Sequence, residues 1–434
     1  MRKNTKTVRP APRTHGGVVA ARMTPEQALR RSVLATLLWE DQFYEDGQTI
    51  ADRIAELTQQ VSPQVVADLA VEAREVQKLR HVPLLLASGL ARSGGSVVGQ
   101  TIERVIKRAD ELAEFLAIYW RNGRTPLSKQ VKLGLGRAFT KFDAYSLSKY
   151  NRDADIRLRD VLFLTHPKPR DQAQAALWKQ LVDGTLPSAD TWETALSSGG
   201  DKRTEFERLL NEGKLGYMAL LRNLRNMEQS GVSVDLVRQA ILARKGASNI
   251  LPFRYVAAAR AAPTFEPELD QALLGSIQDM PQFEGTTLIL VDVSGSMSAP
   301  LSSRSDLRRM DAAATLASVF PGKTLVYSFA NSVVQVPARK GMAGVDAIIA
   351  SQPHGWTDLA GAVDMANKRG GIDRLVVITD EQATTGRVPD PRVEKAYMIN
   401  VASARNGVGY GSWTHIDGFS EGVLRWMAEF EKQQ

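Results

Sequence analysis

The chain has 434 residues but no cysteine and only five histidines. Without thiols, the sequence excludes disulfide scaffolds, thiolate zinc sites, iron–sulfur clusters and cysteine nucleophiles. It also lacks long apolar runs, because stretches such as Thr287–Val291 and Leu375–Ile378 are far shorter than the ~20 residues of a membrane-spanning helix. The basic N-terminus has no apolar segment behind it, so no secretory signal is expected. We therefore predict a cytoplasmic protein with no membrane partner.

Motifs that carry hydrolytic chemistry are also scarce. Neither the zinc-protease pattern H-E-x-x-H nor the phosphate-loop pattern G-x-x-x-x-G-K-[ST] occurs in the chain. Among the histidines, His354 alone is close in sequence to the candidate metal site described below, and a lone histidine is more often structural than catalytic. Activation of water needs a positioned base, so we expect no enzyme, and a nuclease is the weakest hypothesis.

Positive charge is present and unevenly distributed. The chain carries 55 Lys and Arg against 48 Asp and Glu, a net charge of +7. Residues 121–180 alone carry thirteen Lys and Arg against five Asp, so this window has a charge of 13 − 5 = +8. A cluster of this kind favours a polyanionic partner. The alternative is a helical face that is simply solvated.

The pattern along the chain predicts three segments. Residues 1–22 are basic, contain Pro and Gly and show no apolar period, which predicts a flexible basic arm. Residues 23–280 have helical periodicity interrupted by stops such as Ser62-Pro63, which predicts an all-α domain of stacked HEAT-like helical repeats. In residues 281–434, apolar strands alternate with helices, which predicts a doubly wound, Rossmann-like α/β domain. The fold class is therefore multidomain, all-α plus α/β.

Oxygen-bearing side chains follow two of the predicted strands. Asp292, Ser294 and Ser296 come directly after the strand ending in Val291, and Asp380 ends the strand that contains Leu375–Ile378. Thr357 lies on a loop between the two strands. Ligands of open α/β sheets bind at the carboxyl ends of strands, and hard cations prefer oxygen ligands. These five residues therefore predict a site for Mg²⁺ or another divalent cation.

The D-x-S-x-S sequence with its distant Thr and Asp resembles the metal-ion-dependent adhesion site of the von Willebrand factor A domain. The resemblance implies that Ser294, Ser296 and Thr357 bind the ion directly, whereas Asp292 and Asp380 act largely through water. It also implies an open coordination position for a carboxylate from a partner. The chain departs from the family at Trp356, where relatives favour glycine, which changes the rim of the site.

Three stretches of the helical part carry a second resemblance. They are Lys149-Tyr150, then Arg157–Pro169 with its Thr-His-Pro-Lys-Pro ending, and Ala219–Leu224 with the sequence Ala-Leu-Leu-Arg-Asn-Leu. In this order, ahead of a von Willebrand-type domain, they resemble the TROVE domain of the Ro autoantigen family, and the chain resembles bacterial or phage Ro-like proteins. The resemblance covers roughly residues 23–434.

The resemblance implies a monomeric ring of helical repeats whose ends are joined by the A domain. It implies small noncoding Y-like RNA on the outer surface and single-stranded 3′ ends of misfolded RNAs in the central hole. Such a protein acts as a noncatalytic scaffold in RNA quality control or processing. An exoribonuclease such as polynucleotide phosphorylase is a further partner that the resemblance implies.

Two of the candidate RNA-binding residues, Lys149 and His166, match the family's Y RNA surface. Five more are added as neighbours on charge alone: Arg152, Arg157, Arg159, Lys168 and Arg170. An alternative hypothesis is a metal-dependent protein-interaction scaffold, in which the A domain binds a partner carboxylate. The basic window at 121–180 favours the RNA hypothesis, because the alternative gives it no use.

Overall fold

The chain forms two compact units in the computed structural model. The structure describes residues 11–34, 47–197, 200–276, 278, 282–300, 307–402, 404–418 and 421–431. The first unit, here called the α/β unit, contains residues 11–34 together with residues from 282 to 431. The second unit, the helical unit, contains residues 47–276. The predicted pairing of an all-α part with a doubly wound α/β part is confirmed.

The helical unit is built from fifteen α-helices among its described residues. They are α2 (Gly47–Thr58), α3 (Pro63–Glu75), α4 (His81–Ser93), α5 (Val97–Val105), α6 (Asp110–Tyr119), α7 (Lys129–Phe139), α8 (Ala144–Tyr150), α9 (Leu158–Thr165), α10 (Gln172–Asp183), α11 (Trp192–Ser197), α12 (Lys202–Asn211), α13 (Tyr217–Gln229), α14 (Val234–Ala243), α15 (Pro252–Ala261) and α16 (Glu266–Gly275).

Local sequence explains where these helices begin. The Ser62 hydroxyl accepts a hydrogen bond from the Val65 amide, with Pro63 in the first helical position. Asp143 caps α8 in the same way by accepting from the Ser146 amide at 2.8 Å. Such caps satisfy amides that a helix end leaves unpaired. Helices pack mainly on near neighbours in sequence, such as α3 on α4, α5 on α7 and α13 on α14, as in stacked repeats.

The α/β unit contains a six-stranded sheet in the order β3-β2-β1-β4-β5-β6. The strands are β1 (Thr286–Asp292), β2 (Lys323–Phe329), β3 (Val333–Val336), β4 (Arg374–Thr379), β5 (Lys395–Asn400) and β6 (Thr414–Asp417). The helices are α1 (Pro25–Leu34), α17 (Arg309–Val319), α18 (Gly341–Ile349), α19 (Leu359–Arg369) and α20 (Glu421–Glu431). All neighbouring strands are parallel except the edge pair β2 and β3, which is antiparallel.

Both faces of the sheet are covered. On one face, Leu288 and Leu290 of β1 pack with Leu359 and Val363 of α19. The intervening β1 side chains are also fully buried, and α17 contacts β1. Strand order reverses between β1 and β4, whose carboxyl ends form the crevice where this fold class binds ligands.

The structure assigns the N-terminal residues to a different unit from the predicted one. Residues 11–22 do not form a flexible arm, and α1 does not belong with the helical repeats, because both pack within the α/β unit. The Ala21 amide donates to the Gly407 carbonyl at 2.8 Å, and the Asn406 side-chain amide donates to the Arg13 carbonyl at 2.7 Å. These partners are almost 400 residues away in sequence, so local periodicity could not reveal them. Residues 1–10 of the predicted arm lie outside the described residues.

A buried ion cluster links α1 to the sheet. Arg31 donates to Glu381 at 2.5 Å, and His415 of β6 contacts the same carboxylate at 2.6 Å. Asp417 lies 3.4 Å from the other ring nitrogen of His415. Burial alone would lower the pKa of His415, but Glu381 and Asp417 outweigh it and raise the pKa to about 9.

Within the described residues, no helix is long and apolar enough to cross a membrane.

The packing of α5 on α7 predicts an asymmetry between two glycines of α7. A Cβ on Gly134 would lie 2.7 Å from the Gly99 carbonyl oxygen and 2.8 Å from the Cβ of Ile102. Gly134→Ala should therefore lower the free energy of unfolding of the helical unit by about 1–3 kcal/mol. Gly136→Ala is the matched control, since its Cβ meets Pro167 only at 3.5 Å; the better helix propensity of alanine should make it neutral or stabilising by up to ~1 kcal/mol. Equal changes in the free energy of unfolding of the two variants, measured by denaturant titration, would contradict this packing.

The raised pKa of His415 predicts a pH dependence of stability. The folded pKa of about 9 exceeds the usual value of 6.5, so the contribution is complete below about pH 6.5 and is lost as pH rises through 9. The loss should be at most about 3 kcal/mol. Thermal melts between pH 6.5 and 9.5 measure it, and His415→Gln should have a flatter profile in this range. Parallel profiles for the two proteins would show that His415 is not charged in the folded state.

Candidate functional site

The five predicted metal ligands come together at the carboxyl ends of β1 and β4. Asp292 is the last residue of β1, and Asp380 directly follows β4, the neighbouring parallel strand. Both carboxylates are fully buried. One Asp292 oxygen accepts from the Ser294 amide at 2.9 Å, and the other accepts from the Thr379 hydroxyl at 2.6 Å. Neutral donors therefore fix this carboxylate.

Three hydroxyls form a short chain beside Asp292. The Thr357 hydroxyl donates to Ser294 Oγ at 2.9 Å, and Ser294 Oγ lies 3.3 Å from Ser296 Oγ. Ser294 and Thr357 are buried, while Ser296 is half-buried. The arrangement brings together three hydroxyl oxygens and the two carboxylates that the sequence suggested.

The loop that carries Thr357 is held from several sides. A Cβ on Gly355 would lie 1.9 Å from Asn331 Oδ1, so this position needs glycine. The Asn331 side chain accepts from the Trp356 amide at 2.7 Å, and the Gly355 carbonyl accepts from the Gly295 amide at 2.7 Å. The Thr357 carbonyl accepts from both the amide and the hydroxyl of Thr384. The hydroxyl of Thr357 is therefore preorganised next to the serine loop.

Burial and mutual repulsion dominate the electrostatics of the site. Burial raises the pKa of Asp292, the nearby charge of Asp380 raises it further, and the hydrogen bonds from Ser294 and Thr379 offset only part of this, leaving the pKa at about 7. Two neighbouring buried carboxylates favour a bound cation, which would compensate both charges. Hydroxyl and carboxylate oxygens are the donors that Mg²⁺ prefers, so the residues fit such an ion.

The centre depends on hydroxyls as well as carboxylates. In the part of the chain that the structure describes, no group of three or more acidic and histidine side chains is placed to hold a metal. Three residues near the site have other partners: the His354 ring nitrogen contacts the Val293 carbonyl at 2.8 Å, Asp358 caps α19, and Glu381 binds Arg31. None of the three is needed as a ligand.

One short match to a hydrolase pattern, G-x-S-x-G at residues 418–422, begins directly after β6 and includes the first two residues of α20. Its serine, Ser420, lies outside the described residues. The histidine nearest in sequence, His415, contacts Glu381 and stacks on Tyr410 with ring centroids 4.0 Å apart. With a pKa raised to about 9, His415 is protonated at neutral pH and cannot accept a proton from a nucleophile. The pattern therefore does not support nucleophilic catalysis.

The seven basic candidates lie on α8, on α9 and in the adjoining loops. Lys149 is on α8 and Arg159 on α9, and both helices pack against α10. Five of the seven are exposed and two, Lys149 and Arg157, are half-buried; the exposed ones are Arg152, Arg159, His166, Lys168 and Arg170. His166 ends α9 in the left-handed conformation, with φ of 47°.

Few of these basic side chains form ion pairs. Among the ion pairs formed by described residues, Arg157 is the only one of the seven with a carboxylate partner, Asp153. Lys149 Nζ instead lies 5.8 Å from the ring centroids of both Tyr145 and Tyr150. The segment 149–170 is called here the basic segment; it carries six Lys and Arg against three Asp, so its charge is 6 − 3 = +3.

Sequence reasoning missed an open, mostly apolar groove between the basic segment and α10. Phe163, Trp178 and the stem of Lys179 line it together with His166, and its volume is about 370 Å³. Phe163 is 56% exposed although it lies in a helix core sequence. The sequence did contain a sign that one apolar side chain of α9 would be exposed. The helix has a run of four apolar residues, and four consecutive side chains of a helix cannot all face one core.

Comparison with known proteins agrees with this architecture. Residues 184–284 match the TROVE domain. The chain is 38% identical over 89 residues to telomerase protein component 1 of Mus musculus and 36% identical over 89 residues to that of Rattus norvegicus. Each match covers 19% of this chain but only 3% of the much longer relative.

A solved structure extends the likeness to most of the chain. The crystal structure of the Deinococcus radiodurans RO (RSR) protein superposes with a TM-score of 0.61, covering 94% of this chain and 100% of that chain at 19% identity. At this identity the likeness concerns the fold. The chain is therefore similar to the Deinococcus RO protein in fold and to TROVE-domain proteins over residues 184–284.

Proposed function

We propose that the chain is an RNA-binding, noncatalytic scaffold whose helical unit contacts RNA through the basic segment. The observation that carries the proposal is the set of exposed cations in residues 149–170, of which Arg157 alone among the seven candidates pairs with a described carboxylate. This segment belongs to the same unit as most of the matched TROVE residues.

The physical basis is charge compensation. Cations that outnumber the neighbouring carboxylates repel one another, and phosphates relieve that repulsion while releasing counterions. Exposed rings near the cations, Tyr145 and Phe163, offer flat faces on which unpaired bases stack. Together, these features suit a structured RNA with unpaired bases better than a uniform duplex.

A more specific proposal comes from what the resemblance to the Ro autoantigen family implies. The RNA is a small Y-like RNA on the outer surface, and single-stranded 3′ ends of misfolded RNAs enter the central hole of a monomeric ring. The protein then acts in RNA quality control or processing in the cytoplasm, with an exoribonuclease such as polynucleotide phosphorylase as a partner.

A second proposal concerns the metal centre. Ser294, Ser296 and Thr357 would hold Mg²⁺ or another divalent cation directly, and Asp292 and Asp380 would hold it largely through water. The two fully buried carboxylates beside the hydroxyl chain support this assignment. A bound ion would supply a Lewis-acidic position for an oxygen ligand.

The metal centre also supports a second function, binding of a partner protein through a carboxylate. The observation in its favour is Trp356, which is 64% exposed next to the ligand Thr357. An exposed indole beside a cation offers an apolar contact for the residue that provides the carboxylate. A protein partner that is captured only with Mg²⁺ would support this function, and it is compatible with RNA binding by the other unit.

The basic segment predicts the effect of a double substitution. Lys149→Ala with His166→Ala should weaken binding of a structured small RNA by roughly tenfold or more, because a charge-assisted contact of Lys149 and a hydrogen bond of His166 to phosphate are lost. Each lost phosphate contact should lower the slope of log K against log salt by about 0.7–0.9. A salt titration of binding measures both the affinity and this slope. It is carried out with a structured RNA and with an RNA that has a single-stranded 3′ end, and the second RNA should lose less affinity.

The matched control is Arg104→Ala with Arg203→Ala, which removes two exposed cations that pair with Glu75 and Glu207. The control should leave the salt slope unchanged. Thermal melts of the control variant should stay close to the wild type, since exposed substitutions cost within about 0.5 kcal/mol each. The Lys149/His166 variant should lose about 1 kcal/mol more, because Lys149 is half-buried and alanine at position 166 must adopt a φ of 47°. Unchanged affinity of the folded Lys149/His166 variant would remove the basic segment from the RNA surface.

The metal centre predicts that Mg²⁺ binding can be lost without loss of RNA binding. Asp292→Ala or Ser294→Ala should abolish Mg²⁺ binding in calorimetry, because each removes an oxygen from a shell with few protein ligands. Asp364→Asn, an exposed carboxylate of α19 that pairs with Lys368, should bind Mg²⁺ like the wild type. RNA binding should survive all three changes. Loss of RNA affinity in folded Asp292→Ala protein would mean that the ion takes part in RNA recognition.

A further inference from the structure

The N-terminal residues 11–34, called here the clasp, contact the loop that carries Asp380. The His15 amide donates to the Gln382 side-chain oxygen at 2.6 Å, and the Thr14 hydroxyl donates to the Ala383 carbonyl at 3.3 Å. A Cβ on Gly16 would lie 2.4 Å from the same Ala383 carbonyl oxygen, so this approach requires glycine. The clasp is therefore built to lie directly on residues 382–383.

A second attachment comes from Arg31, whose side chain is almost fully buried. Its guanidinium donates to the Glu381 carboxylate at 2.5 Å, to the Ala404 carbonyl at 2.6 Å and to the Asn406 carbonyl at 3.0 Å. Glu381 also accepts from the Val408 and Gly409 amides at 2.8 and 2.7 Å. All three guanidinium nitrogens are used, so Arg31 joins the residue after Asp380 to the loop at 404–409.

The backbone around Asp380 needs such support. Glu381 has a φ of 59°, a left-handed conformation that costs a non-glycine residue energy unless its surroundings hold it. The Gln382 amide donates to Asp380 Oδ1 at 3.1 Å, and the Gln382 side chain donates to the Asp380 carbonyl at 3.1 Å. A continuous set of contacts thus runs from His15 and Arg31, through Gln382 and Glu381, to the Asp380 carboxylate.

We propose that the clasp positions Asp380 for the cation, with Arg31 and Gly16 as positioning residues, so that cation binding and clasp docking stabilise each other. This inference rests on the proposed metal centre. Because linkage is reciprocal, the factor by which the docked clasp strengthens cation binding equals the factor by which the cation suppresses clasp opening. A clasp that only stabilised the fold would show no response to the ion.

The first measurement uses the full-length wild-type chain. Hydrogen exchange of the amides in residues 14–21, measured with and without saturating Mn²⁺, reports opening of the clasp. We expect Mn²⁺ to slow this exchange by about 5-fold or more, within the usual range of coupling between sites. In Asp292→Ala protein, Mn²⁺ should have no effect. Wild-type exchange that is unchanged at saturating Mn²⁺ would overturn the inference.

The second measurement is Mn²⁺ affinity, obtained from the electron paramagnetic resonance signal of free Mn²⁺. Arg31→Met and, independently, Gly16→Val should each weaken Mn²⁺ binding about 5-fold or more. Arg30→Ala is the matched control, because Arg30 is on the same helix but pairs with Glu26 at the surface, and it should bind like the wild type. Far-UV circular dichroism confirms that each variant is folded.

The outcomes separate the inference from the metal proposal. Wild-type protein that binds no Mn²⁺ would refute the metal centre and the inference with it. Wild-type protein that binds Mn²⁺, with folded Gly16→Val and Arg31→Met proteins of equal affinity, would refute the inference alone. If Arg31→Met does not fold, Gly16→Val and the wild-type exchange measurement decide, since neither alters the ion cluster.

Discussion

In the α/β unit, two buried carboxylates must be held side by side at the ends of neighbouring parallel strands. Asp292 and Asp380 are fully buried, and burial together with the nearby charge of Asp380 raises the pKa of Asp292 to about 7. Much of the surrounding structure serves this constraint. The Thr379 hydroxyl and the Ser294 amide hold one carboxylate, and the Gln382 amide holds the other. A divalent cation among the three nearby hydroxyls would complete the arrangement by compensating the charges.

The basic segment of the helical unit and the buried ion pairs of the α/β unit hold charge in different ways. In the α/β unit, strong charges are buried and paired: Arg31 with Glu381, and Arg374 with Glu431 at 2.5 Å. In the helical unit, the basic segment leaves its cations at the surface, mostly without carboxylates. Buried pairs fix a conformation, whereas exposed unpaired cations remain available to a polyanion. This contrast is the physical basis for assigning the ion to one unit and RNA to the other.

Periodicity and strand-end chemistry predicted much of the architecture. The carboxyl ends of β1 and β4 meet because parallel strands share an edge, so Asp292 and Asp380 could be paired from sequence alone. Strand β6 was missed, because Thr414–Asp417 is short and polar at both ends. The clasp was misassigned because α1 has an ordinary amphipathic sequence, and nothing local indicates that Arg31 pairs with a residue 350 positions away. Long-range ion pairs of this kind have no sequence period.

The central claim, that the basic segment is the RNA interface, is tested most directly by ultraviolet cross-linking of a structured small RNA to the intact protein, with mass spectrometry of the cross-linked peptides. The account predicts that cross-links concentrate in residues 145–170, with Tyr145, Tyr150 and Phe163 as the main aromatic acceptors, and that they disappear at high salt. Cross-links confined to the α/β unit, or to helices α11–α16, would contradict it.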